Sequence, residues 1–220
     1  KKQWSMSLFV WHFGTKGTRD LWKDVDQHTI LQGPNYKGEV DKIFFNGGLD
    51  EDMSLYVHRP TRNDTTAAPP GDDTFYALAC VPNLQIESDF DWKRDAEKYK
   101  EKVLKTLETR LLPGLSGHIV ESYYMTPLDF KERYNSPFGA GFSLEPGMFQ
   151  SAWFRPHNVS EEIKGLFLVG AGTHPGPGVP GVLASAEVVT KLIPSISHRK
   201  NNGKVTKKNN VNLKESLAAE

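Results

Sequence analysis

The chain has 220 residues, enough for one large domain or two small ones, and its 38% hydrophobic and 25% charged content suits a folded globular protein. Its 27 basic and 27 acidic side chains balance, which argues against a nucleic-acid-binding protein, since those are usually clearly basic. The single cysteine, Cys80, rules out an intrachain disulfide and fits a reducing compartment, and the seven histidines are scattered without metal-ligand spacing.

The chain opens at Lys1 with strand-like sequence and is expected to begin inside a structure. Ser5 to Phe13 carries apolar side chains on both faces, as a central strand covered on two sides would. His28 to Gln32 is a short strand candidate. Ser54 to Arg59 alternates and stops at Pro60. Residues 60–73 are rich in Pro, Thr, Asp and Gly and read as a loop, followed by a strand from Thr74 to Val81. Asp91 to Leu112 is the clearest helix. Trp92, Ala96, Tyr99, Val103, Leu107 and Leu111 recur at spacings of three and four, Asp89 or Asp91 can cap the start, and Pro113-Gly114 stops it. His118 to Met125 is a further strand.

Residues 126–158 are aromatic and rich in Gly and Pro, and predict a long, partly buried loop region with short elements. Gly165 to Gly170 predicts a buried strand, then a Gly/Pro turn, then a helix from Pro180 to Ile193 with Pro in its first turn. From residue 198 the chain carries six Lys/Arg against two Glu and few apolar side chains, so 197–220 is expected to be a disordered basic tail. No apolar run approaches the roughly 20 residues needed to span a bilayer.

The segment from Gly165 to Val189, GLFLVGAGTHPGPGVPGVLASAEVV, carries the chemistry. A strand, a glycine turn and a helix aim backbone N–H groups and the positive end of a helix dipole at one point. Glycine lets a flat or anionic ligand approach the backbone, and a flavin gains negative charge around N1 and its C2 oxygen on reduction. The same pattern also suits a tight strand-to-helix connection within an α/β layer. Gly176, Gly178 and Gly181 spell G-x-G-x-x-G, but not a dinucleotide fingerprint. The pattern starts six residues after the predicted strand, and Pro177 and Pro180 lack the N–H groups a pyrophosphate needs. No other such pattern occurs in the chain.

GAGTHPGPGVPGV resembles the C-terminal flavin-binding signature of bacterial-type phytoene desaturases, FAD-dependent carotenoid desaturases of the amine-oxidase-like flavoprotein superfamily. SAWFRPHN at 151–158 and FSLEP at 142–146 resemble the same family in the same order. SMSLFVWHFGT at 5–15, the region from Thr61 to Leu84 and TPLDF at 126–130 continue the likeness, which runs from Trp4 to about Pro194. The fold class expected is therefore α/β (α+β), the C-terminal part of a two-domain FAD flavoprotein. A mixed or antiparallel substrate-domain sheet with covering helices (residues 1–150) would be followed by the final strand-turn-helix of the FAD domain (151–196). The N-terminal half that holds the ADP end of FAD in that family would be missing.

The resemblance implies removal of two hydrogens from a saturated C–C bond of a long, colourless polyene such as phytoene, with a hydride passing to flavin. Gly170, Ala171, Gly172 and Thr173 would lie along the ribityl-pyrophosphate side, and Val179, Pro180, Gly181 and Val182 would approach the isoalloxazine ring. His174 is the titratable group in the signature, either a proton shuttle or a loop-fixing side chain. Phe138, Phe142, Phe149, Trp153 and Phe154 would line a substrate tunnel or form ordinary core. Arg155 and Glu145 would pair to hold these loops, or meet cofactor or quinone. The implied setting is cytoplasmic and peripheral on the inner membrane, with the basic tail either adding attraction to anionic lipid or simply solvated. Other readings are a carotenoid ketolase, an isomerase, a retinol saturase-like enzyme, or a non-catalytic domain that binds carotenoid or membrane.

Overall fold

The computed structural model describes residues 2–49, 51 and 53–194, so the predicted basic tail lies outside the described residues. Five strands form one antiparallel sheet in the order β2-β3-β4-β1-β5. They are β1 (Ser7–Thr15), β2 (His28–Leu31), β3 (Leu55–His58), β4 (Asp73–Val81) and β5 (Ile119–Met125). β1 pairs along its whole length with β4, from Ser7 opposite Val81 to Thr15 opposite Asp73, and takes β5 on its other edge. This central position explains why β1 reads as apolar on both faces.

One face of the sheet carries Phe9, Trp11, Phe13, Val57, Phe75, Ala77 and Ala79, all buried. Helix α2 (Trp92–Arg110) lies over it, its apolar stripe of Trp92, Ala96, Tyr99, Val103 and Leu107 turned inward. Phe9 meets Trp92 and Tyr99 at ring-centroid distances of 5.9 and 5.0 Å. Burying five such side chains contributes on the order of 1.5–3 kcal/mol each, so packing rather than intrinsic propensity holds the helix. Asp91 caps it by accepting from the backbone N–H of Lys93 at 2.9 Å.

The sheet's far end is fastened by charge. Arg59 and Asp73, both buried, form a two-point ion pair with 3.0 Å contacts, and Arg59 also donates to the carbonyls of Val25 (3.1 Å) and Arg19 (3.0 Å). Thr61 and Thr18 donate to the same carboxylate at 2.5 and 2.9 Å. The loops on both sides of β2 and β3 are thus tied to the start of β4 by a satisfied network.

Two short helices escape the sequence periodicity. α1 (Tyr36–Asp41) runs into a π-helical turn over Lys42–Asn46, and buried Glu39 within it accepts from Ser54 N and Oγ at 2.7 and 2.6 Å. α3 (Pro127–Arg133) opens on a capping box in which Thr126 and Asp129 satisfy one another's end of the turn. The predicted strand from Gly165 to Gly170 does not form. Its backbone makes one isolated bridge, Phe167 to Val159, and Leu166 and Val169 are exposed. A strand needs a partner ladder, and no strand of the described sheet runs beside this segment. The following helix is present as α4 (Val179–Leu192).

Candidate flavin-contacting turn

The glycine segment is a loop laid over the N-terminus of α4. Gly170, Gly176 and Gly178 have φ of 119°, 145° and 94°, a region that disfavours any residue with a Cβ. The peptide between His174 and Pro175 is cis. Pro180 at the second helical position removes an N–H that would have no helical partner there.

Three polar side chains tie the loop to the helix. Ser185, fully buried on α4, accepts from Gly170 N at 3.1 Å and from Asn158 Nδ2 at 3.0 Å, and its hydroxyl lies 2.9 Å from that of Thr173. Thr173 in turn donates to the Gly170 carbonyl at 2.9 Å. Asn158 also donates to the Leu168 carbonyl at 3.1 Å. Of the expected cofactor residues, Gly170 and Thr173 therefore direct these groups inward and build the loop. Val179 and Gly181 differ. Among the described residues their backbone N–H groups meet no hydrogen-bond partner, and Val179 is exposed at the helix start. Val182 N donates to Gly178 O at 2.9 Å and is occupied.

Gly181 is required by the protein's own packing. A Cβ there would stand 2.5 Å from the Gly176 carbonyl oxygen and 3.1 Å from its carbon. The sequence expectation gave this glycine only to a ligand's close approach, whereas the loop backbone itself fills the space.

Arg155 sits beneath the turn and is 2% exposed. It does not pair with Glu145. Its Nη1 donates to the Ala171 carbonyl and its Nη2 to that of Leu144, each at 2.9 Å. Burial pushes its guanidinium below the usual arginine range. One side chain thus links the 142–146 loop, the 151–158 loop and the glycine turn, which explains why these motifs occur together. A planar fork can bond two carbonyls as readily as it brackets a carboxylate geometrically, although only a carboxylate would offset its charge, and sequence cannot distinguish the two.

His174 Nδ1 lies 3.0 Å from the Ala152 carbonyl, which can only accept, so Nδ1 carries the proton and Nε2 is the remaining nitrogen. Of the five expected lining aromatics, Phe149 and Phe154 meet each other, while Phe138 and Trp153 have other ring neighbours. Phe138 packs near Trp4 at 6.1 Å, Phe149 near Phe154 at 5.8 Å, and Trp153 between His157 and His174 at 5.1 and 6.4 Å. Phe142 is 37% exposed, and Phe149 is 74% exposed.

The chain is similar to phytoene desaturases and 4,4'-diapophytoene desaturases. The chain is 36% identical over 197 residues to the 4,4'-diapophytoene desaturase (4,4'-diaponeurosporene-forming) of Staphylococcus aureus, covering 88% of this chain and 39% of that protein. It is 48% identical over 192 residues to the phytoene desaturase (lycopene-forming) of a Paracoccus species, covering 87% and 38%. Similarity is higher still to the phytoene desaturase (neurosporene-forming) of Rhodobacter capsulatus, 63% over 194 residues, covering 88% of this chain and 37% of that one. The resemblance read from the motifs is thereby borne out, over somewhat more than a third of the length of these relatives. No family model matches the chain.

Proposed function

We propose that this chain forms part of an FAD-dependent oxidoreductase acting on CH–CH bonds, a desaturase of phytoene or a related polyene. The carrying observation is the 63% identity to the Rhodobacter capsulatus phytoene desaturase over 194 residues, which includes a preorganised glycine turn and helix N-terminus. The residues fit a flavin. Val179 and Gly181 offer unpartnered backbone N–H groups at the positive end of α4, a suitable place for the negative charge of a reduced isoalloxazine. Bound FAD would supply the hydride acceptor. Gly170, Ala171, Gly172 and Thr173 would shape the approach to its ribityl chain, and Arg155 would hold that loop rigid from below. His174 Nε2 is able to take a proton, and we assign it as the proton acceptor.

The ADP end of FAD needs a second glycine-rich turn, and the described residues hold no strand-turn-helix of that kind. The reading therefore includes a complementary dinucleotide-binding segment as partner. Attachment to the cytoplasmic side of the inner membrane would be peripheral. No helix among the described residues is long and apolar enough to cross a membrane, and Met148 and Phe149 stand exposed at 79% and 74%.

The test is expression in cells that accumulate phytoene. This chain is supplied alone, or joined to the part of the Rhodobacter capsulatus relative outside the matched residues. Coloured polyene is expected only from the joined protein. A joined protein that retains flavin yet yields no desaturated product would overturn the reading.

A further inference from the structure

The face of the sheet opposite α2 carries a row of rings at right angles to the strands. His28 on β2 stacks on His58 of β3 at 4.8 Å, and His58 meets Tyr76 of β4 at 5.0 Å. Tyr76 meets His12 of β1 at 5.5 Å, and His12 stacks on Tyr123 of β5 at 4.6 Å and 11°. The register makes the row continuous. His28 is opposite His58, His58 opposite Tyr76, Tyr76 opposite His12, and His12 opposite Tyr123. One ring from each strand therefore spans about 19 Å at ordinary strand spacing.

Three features separate this row from a solvated sheet face. Its neighbours one step along the strands are Ile30, Tyr56 and Leu78, with Val10 and Met125 buried, so the row borders an apolar band over β2, β3 and β4. Two of its polar groups bond the neighbouring Tyr56: the Tyr56 hydroxyl lies 2.6 Å from His28 Nδ1, and Tyr56 also bonds Tyr76, whose phenol pKa is pushed up to about 12, chiefly by burial. The rings carry no fixed charge, and burial holds His12 and His58 below the usual histidine range, His58 also under the influence of His28. Among the paired strand positions of this face the one carboxylate is Glu121, opposite Gly14.

A loop joins the sheet beside the row to the glycine turn. A Cβ on Gly141 would stand 2.8 Å from Cγ of Leu8, which shares this face with Val10 and His12, so the 139–144 loop lies on the sheet beside the row. A Cβ on Gly172 would stand 3.0 Å from Ser143 Oγ of the same loop. The sheet thus packs against the loop, and the loop against the glycine turn.

We infer that this ribbon of rings, His28, His58, Tyr76, His12 and Tyr123, is the surface along which an elongated polyene lies, leading toward the glycine turn. The inference rests on the polyene reading above and moves the substrate from the Phe149–Phe154 loops to the open sheet face. An uncharged line of aromatic faces next to an apolar band matches a long unsaturated hydrocarbon. It matches a charged ligand poorly, because the row carries no fixed charge and His28 and Tyr76 already bond Tyr56.

The test uses the full 220-residue chain and phytofluene delivered in detergent micelles, a polyene that absorbs where tryptophan emits. Quenching of tryptophan emission reads binding. Tyr123→Asp and His28→Asp, both at exposed positions, should weaken binding tenfold or more, and Tyr123→Ser serves if Tyr123→Asp melts early. Phe45→Ser and Phe154→Ser, at exposed rings elsewhere, should leave it unchanged. Binding should also weaken from pH 7.5 to pH 5, as His12 and His58 become charged. Row variants that melt normally and bind as the wild type does would overturn the inference, as would loss of binding in Phe154→Ser. Absence of binding by the wild-type chain would overturn it too, while the desaturase reading would still stand or fall on pigment formation in cells.

Discussion

Replacing Arg155 by Met tests the idea that one buried guanidinium assembles the candidate site. The side chain is 2% exposed and donates to the carbonyls of Leu144 and Ala171 at 2.9 Å each. Met fills a similar apolar volume but leaves both oxygens without a donor, at about 1–3 kcal/mol for each buried group. Against this stands the relief of desolvating a cation that has no carboxylate partner, which offsets part of the loss. We expect a net destabilisation of about 2–3 kcal/mol, or roughly 4–12 °C in melting temperature for a chain of this size. Arg155→Lys should fall between, since an ammonium has donors for a carbonyl but not the planar fork that reaches two. Thermal melting followed by circular dichroism gives the magnitude, and hydrogen exchange gives the location, with faster exchange expected over residues 170–182. A Met variant with wild-type melting and unchanged exchange in that segment would refute the staple.

Asp73→Asn should cost about 3–5 kcal/mol in urea denaturation, because it leaves the buried Arg59 without its counter-charge. Gly181→Ala should already disturb the turn, since a Cβ would stand 2.5 Å from the Gly176 carbonyl oxygen. The check is near-ultraviolet circular dichroism together with flavin retention in the joined protein, and a variant unchanged in both would contradict the close approach. Ser185→Ala should cost about 1–3 kcal/mol by leaving Gly170 N and Asn158 with an acceptor fewer, measured by chemical denaturation. His12 and His58 have lowered pKa values in the fold, so the unfolded chain binds more protons and stability rises with pH. Melting temperature should therefore hold above about pH 6.5, near the unfolded histidine value, and fall below it, with a smaller fall in His12→Phe.

All five strands and the long helix were legible in the sequence because each carries a strong local pattern. Alternation in Ser54 to Arg59 became β3, and the three-four spacing from Trp92 to Leu107 became α2. α1 was missed because six residues are too few to show a helical period, and its buried Glu39 reads as a surface residue until its bonds to Ser54 are seen. α3 had a readable signal, Thr126 followed by Pro127 and Asp129, which is a helix start rather than a loop. The glycine turn was legible as a unit because φ restrictions and helix entry act locally. The roles of Arg155 and Ser185 were not, since both depend on which carbonyls and hydroxyls the tertiary fold brings within 3 Å.

The absent strand at Gly165 to Gly170 tells most about the site. Its composition suits burial on both faces, yet Leu166 and Val169 are 39% and 56% exposed. What holds it is side-chain and loop bonding, with Leu168 N donating to the Asn158 carbonyl at 2.9 Å and Asn158 Nδ2 returning to the Leu168 carbonyl at 3.1 Å. Asn158 thus occupies one edge of the segment with a two-way bond that imitates a ladder rung, and its other contact, to Ser185, carries that position through to α4. The segment leaves Leu166 and Val169 exposed and Phe167 and Leu168 half-buried. Asn158 and Ser185 thus hold the glycine turn from behind, while Leu166 and Val169 stay on the outer side.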